Sequence, residues 1–205
     1  MGLREKAICV APAGCGMLVY NFFDIDTLES AHGRVAAVAT GIKRVLPDNL
    51  VFSYQGDGDL AAIGTAEGFH AANRGELITI IFVNNGVYGM TGGQMAPTTL
   101  TKQVTTTTPA GGNPQQAGYP IKVCEVFSVL EGTSYLERVA VNKPAAIIKA
   151  KKAIAKAFEH QLKGTGFSLV EVLSPCPTNW KMGPVEACKW IDDVMTRQFP
   201  LGVVK

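Results

Sequence analysis

Residues 50–59 read Leu50-Val51-Phe52-Ser53-Tyr54-Gln55-Gly56-Asp57-Gly58-Asp59, and residues 77–87 read Leu77-Ile78-Thr79-Ile80-Ile81-Phe82-Val83-Asn84-Asn85-Gly86-Val87. In each, an apolar run rich in β-branched and aromatic residues gives way to Gly, Asp or Asn. Leu77–Val83 has the composition of a strand buried on both faces. Leu50–Tyr54 is a strand stopped by Gly56. The segment between them, Leu60–Asn73, has helix length and closes at Arg74-Gly75. Strand, helix, strand is the unit of a parallel sheet. Ligands in open α/β sheets sit at the carboxyl ends of strands. If the two strands are neighbours, Asp57 and Asn85 face one crevice.

The same alternation continues outward. Ala7–Ala11 is a short strand, and His32–Leu46 is a helix ended by Pro47. Tyr135–Val141 and Phe167–Leu173 are further strands. Lys143–Lys163 and Pro184–Gln198 are helices. The fold class is α/β, a doubly wound, mostly parallel sheet with helices on both faces. Residues 1–205 read as a single domain, with 174–205 as a C-terminal extension packing on it. Gly86–Gly118 carries Gly, Thr and Pro without periodicity. A structureless stretch of that length in a compact domain signals function or a subunit interface.

Composition narrows the function. The 205 residues carry 19 basic and 17 acidic side chains, a net charge of +2. That balance gives no reason to expect a nucleic-acid or acidic-lipid surface. Hydrophobic residues make up 47% and charged residues 18%, enough for a substantial core. No apolar stretch reaches the roughly 18 residues of a membrane span. The opening Met1–Lys6 is charged and does not read as a signal peptide. Five cysteines, with no C-x-x-C pair, are not a disulfide framework, so a reducing cytoplasm is expected.

The two strand ends carry the chemistry. A carboxylate (Asp57), an amide (Asn85) and a loop carbonyl form a hard-oxygen set suited to Mg²⁺, which keeps positions open for phosphate oxygens. Gly56 and Gly58 let the backbone approach those phosphates, and the following helix N-terminus faces them. Gly56, Gly58 and Ala61 also satisfy G-x-G-x-x-A, the dinucleotide fingerprint. There, however, Asp57 would set a carboxylate against a pyrophosphate with no metal between them. No Walker P-loop occurs. A tight turn alone would explain Gly56–Asp59, but not its pairing with Asn84-Asn85.

Gly56-Asp57-Gly58 followed by Asn84-Asn85 resembles the thiamine diphosphate motif. Together with His32-Gly33-Arg34, Ala39-Thr40-Gly41, Tyr88-Gly89-Met90-Thr91-Gly92-Gly93-Gln94 and Pro97-Thr98-Thr99, it resembles the β subunit of 2-oxoacid:ferredoxin oxidoreductases over essentially the whole chain. Met90, Ser174–Trp180 and Phe199–Gly202 look closest to the 2-oxoisovalerate/2-oxoglutarate branch. The resemblance implies a thiamine diphosphate-binding fold. It implies Mg²⁺ on Asp57, Asn85 and the Val87 carbonyl. Gly56, Gly58, Asp59, Gly89, Met90 and Thr91 would line the diphosphate. Gly14, Cys15, His32, Gly33 and Arg34 would lie near the reactive end of the cofactor, with His32 as the catalytic candidate and the activating Glu supplied by a partner. The implied reaction is oxidative decarboxylation of a 2-oxoacid to acyl-coenzyme A and CO₂, with electrons passed to ferredoxin. The implied partners are an α subunit, with γ and δ subunits in some assemblies. The rival readings are a non-redox thiamine diphosphate decarboxylase or carboligase subunit and a non-catalytic assembly fragment.

Cysteine usage departs from the family. The branch holds a [4Fe-4S] cluster on four thiolates. Cys15 and Cys176 match two of them, and the N-terminal C-x-x-C pair has no counterpart. Either the sequence starts late or the cluster is lost, and as written the chain is expected to bind no cluster alone. Cys9 is expected to be buried and inert, and Cys124 and Cys188 to pack. Lys143, Lys149, Lys151, Lys152, Lys156 and Lys163 read first as a solvated helix face, and second as a dock for acidic ferredoxin. Thr105–Thr108 reads as a loop that orders when a partner docks.

Overall fold

The computed structural model describes residues 2–205. In chain order the strands are β1 (Ala7–Ala11), β2 (Asp26–Glu29), β3 (Leu50–Gly56), β4 (Thr79–Asn84), β5 (Val87–Tyr88), β6 (Gln94–Met95), β7 (Thr133–Ala140), β8 (Phe167–Leu173) and β9 (Gly202–Val203). The helices are α1 (Val35–Val45), α2 (Thr65–Asn73), α3 (Pro114–Ala117), α4 (Val123–Ser128), α5 (Pro144–Leu162), α6 (Pro177–Trp180), α7 (Pro184–Trp190) and α8 (Thr196–Gln198). Seven strands form one sheet in the order β2-β1-β3-β4-β8-β7-β9. All its pairs are parallel except β7 with β9.

Alternate residues of each strand go to opposite cores, as the pleat requires. Val10, Val51, Ile80, Leu136 and Leu169 pack under α1, α2 and α4. Cys9, Phe52, Ile81, Tyr135 and Val170 pack under α5. Buried on both faces, these strands carry no polar alternation. α5 meets the sheet through Ala150, Ala153 and Ala157, small residues that let the helix come close.

The helix expected over Leu60–Asn73 is divided. Asp57–Ile63 is a wider turn in which the Gly64 N–H donates to Asp59 O, five residues back, at 2.7 Å. α2 begins only at Thr65. The helix expected from His32 begins at Val35, because Gly33 turns the chain at φ +79°. That turn belongs to the pocket described below. β2 carries mostly exposed side chains at the sheet edge, so no apolar run marks it.

The 86–118 stretch carries hydrogen bonds and short elements of its own. Val87 pairs with Met95 and Tyr88 with Gln94 in a small hairpin. The Thr107 hydroxyl accepts the Met95 N–H at 2.9 Å, and Thr105 and Thr108 hydrogen-bond each other at 2.6 Å. These hydroxyls bond one another and the backbone within the loop. Beyond β8, Trp180, Ala187, Ile191, Met195 and Phe199 form a third cluster with Val87, Leu100, Ala140 and Leu173.

Candidate functional site

β1 sends the chain to β2 on one side, while β3 sends it through α2 to β4 on the other. The strand order reverses there, and an open sheet leaves a crevice at such a point. A cavity of about 400 Å³ occupies it. Gly14 and Cys15 after β1, Gly56–Asp59 after β3, Asn85 after β4, and Val87–Thr91 around β5 all line it, as does His32. Gly33 and Arg34 do not reach its wall. Gly33 stands behind His32, where a β-carbon would lie 2.3 Å from Ile63 Cγ2. The Arg34 guanidinium pairs with Glu67 on α2.

Asp57 is 3% exposed. Its Oδ1 accepts the Thr98 hydroxyl, and its Oδ2 accepts the Asn85 N–H at 3.1 Å. No Lys, Arg or His among the described residues pairs with it. Burial pushes its pKa up to about 7, against the lowering effect of those hydrogen bonds. A buried carboxylate without a cation is the feature a divalent ion would relieve. Asn85 Oδ1 accepts the Val87 N–H at 3.2 Å, which tightens the turn between β4 and β5. The Trp180 indole N–H holds the Asn85 carbonyl at 3.0 Å. No group of three His, Cys, Asp or Glu side chains suited to a metal occurs among the described residues. One carboxylate, an amide and a carbonyl nevertheless fit Mg²⁺, which takes few protein ligands and completes its shell with water and phosphate.

Asp59 lines the same cavity, but its carboxylate serves the protein. Oδ1 accepts the Gly33 N–H at 2.6 Å and lies 2.9 Å from His32 Nδ1. Oδ2 accepts the Gln55 amide. His32 is thereby fixed through Nδ1, leaving Nε2 for the cavity. A β-carbon on Gly58 would meet that Nε2 and the Tyr88 ring, each at 3.3 Å. Gly58 is the gap between imidazole and phenol. Tyr54, Ile63 and Tyr88 line the cavity without having been singled out from sequence. Tyr54 and Ile63 read there only as strand and helix residues. Tyr88 stood within the quoted Tyr88–Gln94 run, so its signal was present.

Two thiols converge above Gly89. Cys15 Sγ and Cys176 Sγ lie 3.4 and 3.8 Å from the point a β-carbon there would occupy. Burial first, and Cys176 second, push the Cys15 thiol up. Asn179 Nδ2 donates to Gly89 O at 3.0 Å and to Cys176 Sγ at 3.2 Å. Cys9 and Cys124 are buried inside separate cores, with Cys9 pushed up to about 12 by burial. All five cysteines are free. The residues present therefore do not fit a [4Fe-4S] cluster, which needs four thiolates at one place.

Residues 17–172 match the family described as thiamine pyrophosphate enzyme, C-terminal TPP binding domain. The 2-oxoglutarate synthase subunit KorB of Archaeoglobus fulgidus is 36% identical over 95% of this chain and 68% of its own length. The chain belongs to the thiamine pyrophosphate-binding subunits of 2-oxoacid oxidoreductases. The ketoisovalerate oxidoreductase subunit VorA of Methanothermobacter thermautotrophicus is 48% identical over 98% of the chain. The chain spans 42% of that relative's length. A solved 2-oxoglutarate:ferredoxin oxidoreductase from Magnetococcus marinus, with 2-oxoglutarate, coenzyme A and succinyl-CoA bound, superposes at a TM-score of 0.79 and 30% identity. That superposition covers 93% of this chain and 60% of the other. The α/β class and the mostly parallel sheet read from sequence agree with this neighbour. No described helix is long and apolar enough to cross a membrane.

Proposed function

We propose that this chain holds thiamine diphosphate and Mg²⁺ for a 2-oxoacid:ferredoxin oxidoreductase that converts a branched-chain 2-oxoacid to its acyl-coenzyme A. The observation that carries the reading is Asp57, a buried carboxylate without a cationic side chain beside it, joined to the Asn85 turn in the lining of a glycine-rich cavity. Asp57, the Asn85 side chain and the Val87 carbonyl would hold Mg²⁺. Gly56, Gly58, Gly89, Met90 and Thr91 leave the diphosphate room against backbone. Held by these residues, thiamine diphosphate would supply the carbanion chemistry that decarboxylation of a 2-oxoacid needs. The chain's own part is orientation. Asp59 holds His32 Nδ1, so a neutral imidazole presents Nε2 as an acceptor toward the cavity, where it can take a proton and return it. Gly14 and Cys15 close the opposite wall.

The substrate reading rests on charge and on similarity. No Lys or Arg lines the cavity among the described residues. Ile63 and Met90 give its wall an apolar part, so this chain offers no Lys or Arg to the second carboxylate of 2-oxoglutarate. The higher identity to VorA points the same way. Partner subunits, ferredoxin and coenzyme A complete the reaction, in a compartment that keeps thiols reduced. A second reading, a non-redox thiamine diphosphate decarboxylase or carboligase, is favoured by one observation, the convergence of only two thiols, Cys15 and Cys176.

The test is turnover by the assembled complex with 2-oxoisovalerate and with 2-oxoglutarate, following CO₂ release and reduction of ferredoxin. Reduction coupled to CO₂ release, with a higher kcat/KM for 2-oxoisovalerate, is expected. CO₂ release without reduction selects the non-redox reading. No CO₂ release from any 2-oxoacid contradicts both.

A further inference from the structure

β8 runs through the middle of the sheet and is buried at every position, yet it carries Glu171. The carboxylate is 0% exposed. Burying such a charge is unfavourable unless it is paired and fully hydrogen-bonded. Its partner is Arg138, opposite it on β7 and equally buried, whose Nε donates to Glu171 Oε2 at 2.9 Å. The rest of that guanidinium runs outward. Its Nη1 donates to Glu125 Oε1 at 3.0 Å and to the Pro200 carbonyl at 3.1 Å. The other oxygen of Glu171 faces the site. Asn84 Nδ2 donates to Glu171 Oε1 at 2.8 Å, and Asn84 Oδ1 accepts the Gly86 N–H at 3.1 Å.

A carboxylate only accepts hydrogen bonds. Glu171 therefore forces the NH₂ of Asn84 toward itself, and the amide oxygen must then point to Gly86. That bond closes the turn Asn84–Val87, whose Asn85 N–H donates to Asp57 Oδ2 at 3.1 Å. We propose that Glu171, braced by Arg138, is a positioning residue that sets the turn holding the divalent cation. Neither residue lines the cavity or touches what binds there. They act through Asn84. This inference rests on the reading of Asn85 and Val87 as Mg²⁺ ligands. It explains an ion pair in a central strand, where apolar residues of similar volume would serve packing as well.

The test replaces the pair by apolar residues, Arg138→Met with Glu171→Leu, and titrates Mg²⁺ at fixed thiamine diphosphate in the assembled complex. The readout is tryptophan emission, since Trp180 donates to the Asn85 carbonyl and packs at a tilt against Trp190. Removing groups that orient metal ligands weakens metal binding about 10- to 100-fold. The expected result is a folded variant whose Mg²⁺ midpoint rises about tenfold or more. Asn84→Ala, which leaves the Arg138–Glu171 pair intact, is expected to raise it likewise and serves if the double variant does not fold. A folded variant of either kind with the wild-type midpoint overturns the positioning role and leaves the cofactor reading standing. Wild-type protein that shows no Mg²⁺-dependent binding of thiamine diphosphate overturns both.

Discussion

Asp57 is unfavourable to the free protein and useful to the loaded one. Its pKa, raised by burial to about 7 against about 3.8 for a free carboxyl, fixes the sign of a pH effect. The folded chain binds this proton more tightly than the unfolded chain. The group's contribution to stability is therefore fully present below about pH 4 and is lost as pH rises through 7. Asp57→Asn is expected to raise the thermal midpoint of the cofactor-free protein at pH 8 and to have little effect at pH 4. An unchanged midpoint at pH 8 would show that a cation already neutralises the carboxylate. Gly58 gives a second prediction at this scale. Gly58→Ala sets a methyl group 3.3 Å from both His32 and Tyr88, so it should weaken cofactor binding while moving the thermal midpoint little, as calorimetric titration would show. Asp57, Asn85 and Gly58 were legible in the sequence because each is a polar or small residue breaking a strand. The use of Asp59 was not, because it depends on where the chain turns at Gly33.

At the scale of elements, strands announced themselves where both faces are buried. β1 and β8 fall on the residues their apolar runs mark, Ala7–Ala11 and Phe167–Leu173. β2 and β9 did not, since an edge strand with exposed side chains is held by backbone pairing alone. The division of 57–73 was likewise hidden. Nothing in the composition of Leu60–Ile63 separates a widened turn from an α-helix, and tertiary contacts of Asp59 and Gly33 decide it. α5 has a fixed point that periodicity misses. Gln161 is buried on the helix and clasps Val51, accepting its N–H at 3.1 Å and donating to its carbonyl at 2.6 Å. Gln161→Ala leaves both backbone groups of β3 unpaired and should lower stability by about 2–3 kcal/mol in chemical denaturation. A loss below about 0.5 kcal/mol would mean that water replaces the amide.

At the scale of the molecule, two apolar cores sandwich a mostly parallel sheet, and among the described residues the most deeply buried charges are those of Asp57, Asp59 and the Glu171–Arg138 pair. The first two face the cavity, and the third reaches toward it through Asn84. Two strand ends mark this crevice in the sequence, because a parallel sheet places all such ends on one side. Reading 174–205 as an extension packing on the domain does not reveal that its Trp180 and Asn179 grip Asn85 and Gly89, 95 and 90 residues away in the chain. The measurement that tests the central claim most directly is thermal unfolding of the complex with Mg²⁺, with thiamine diphosphate, and with both. A ligand at 100 times its Kd adds about 2.7 kcal/mol to the state it binds, a rise of about 5–10 °C for a chain of this size. The account predicts that rise only when both are present, and its loss in Asp57→Ala. A rise that survives Asp57→Ala, or no rise at all, would contradict it.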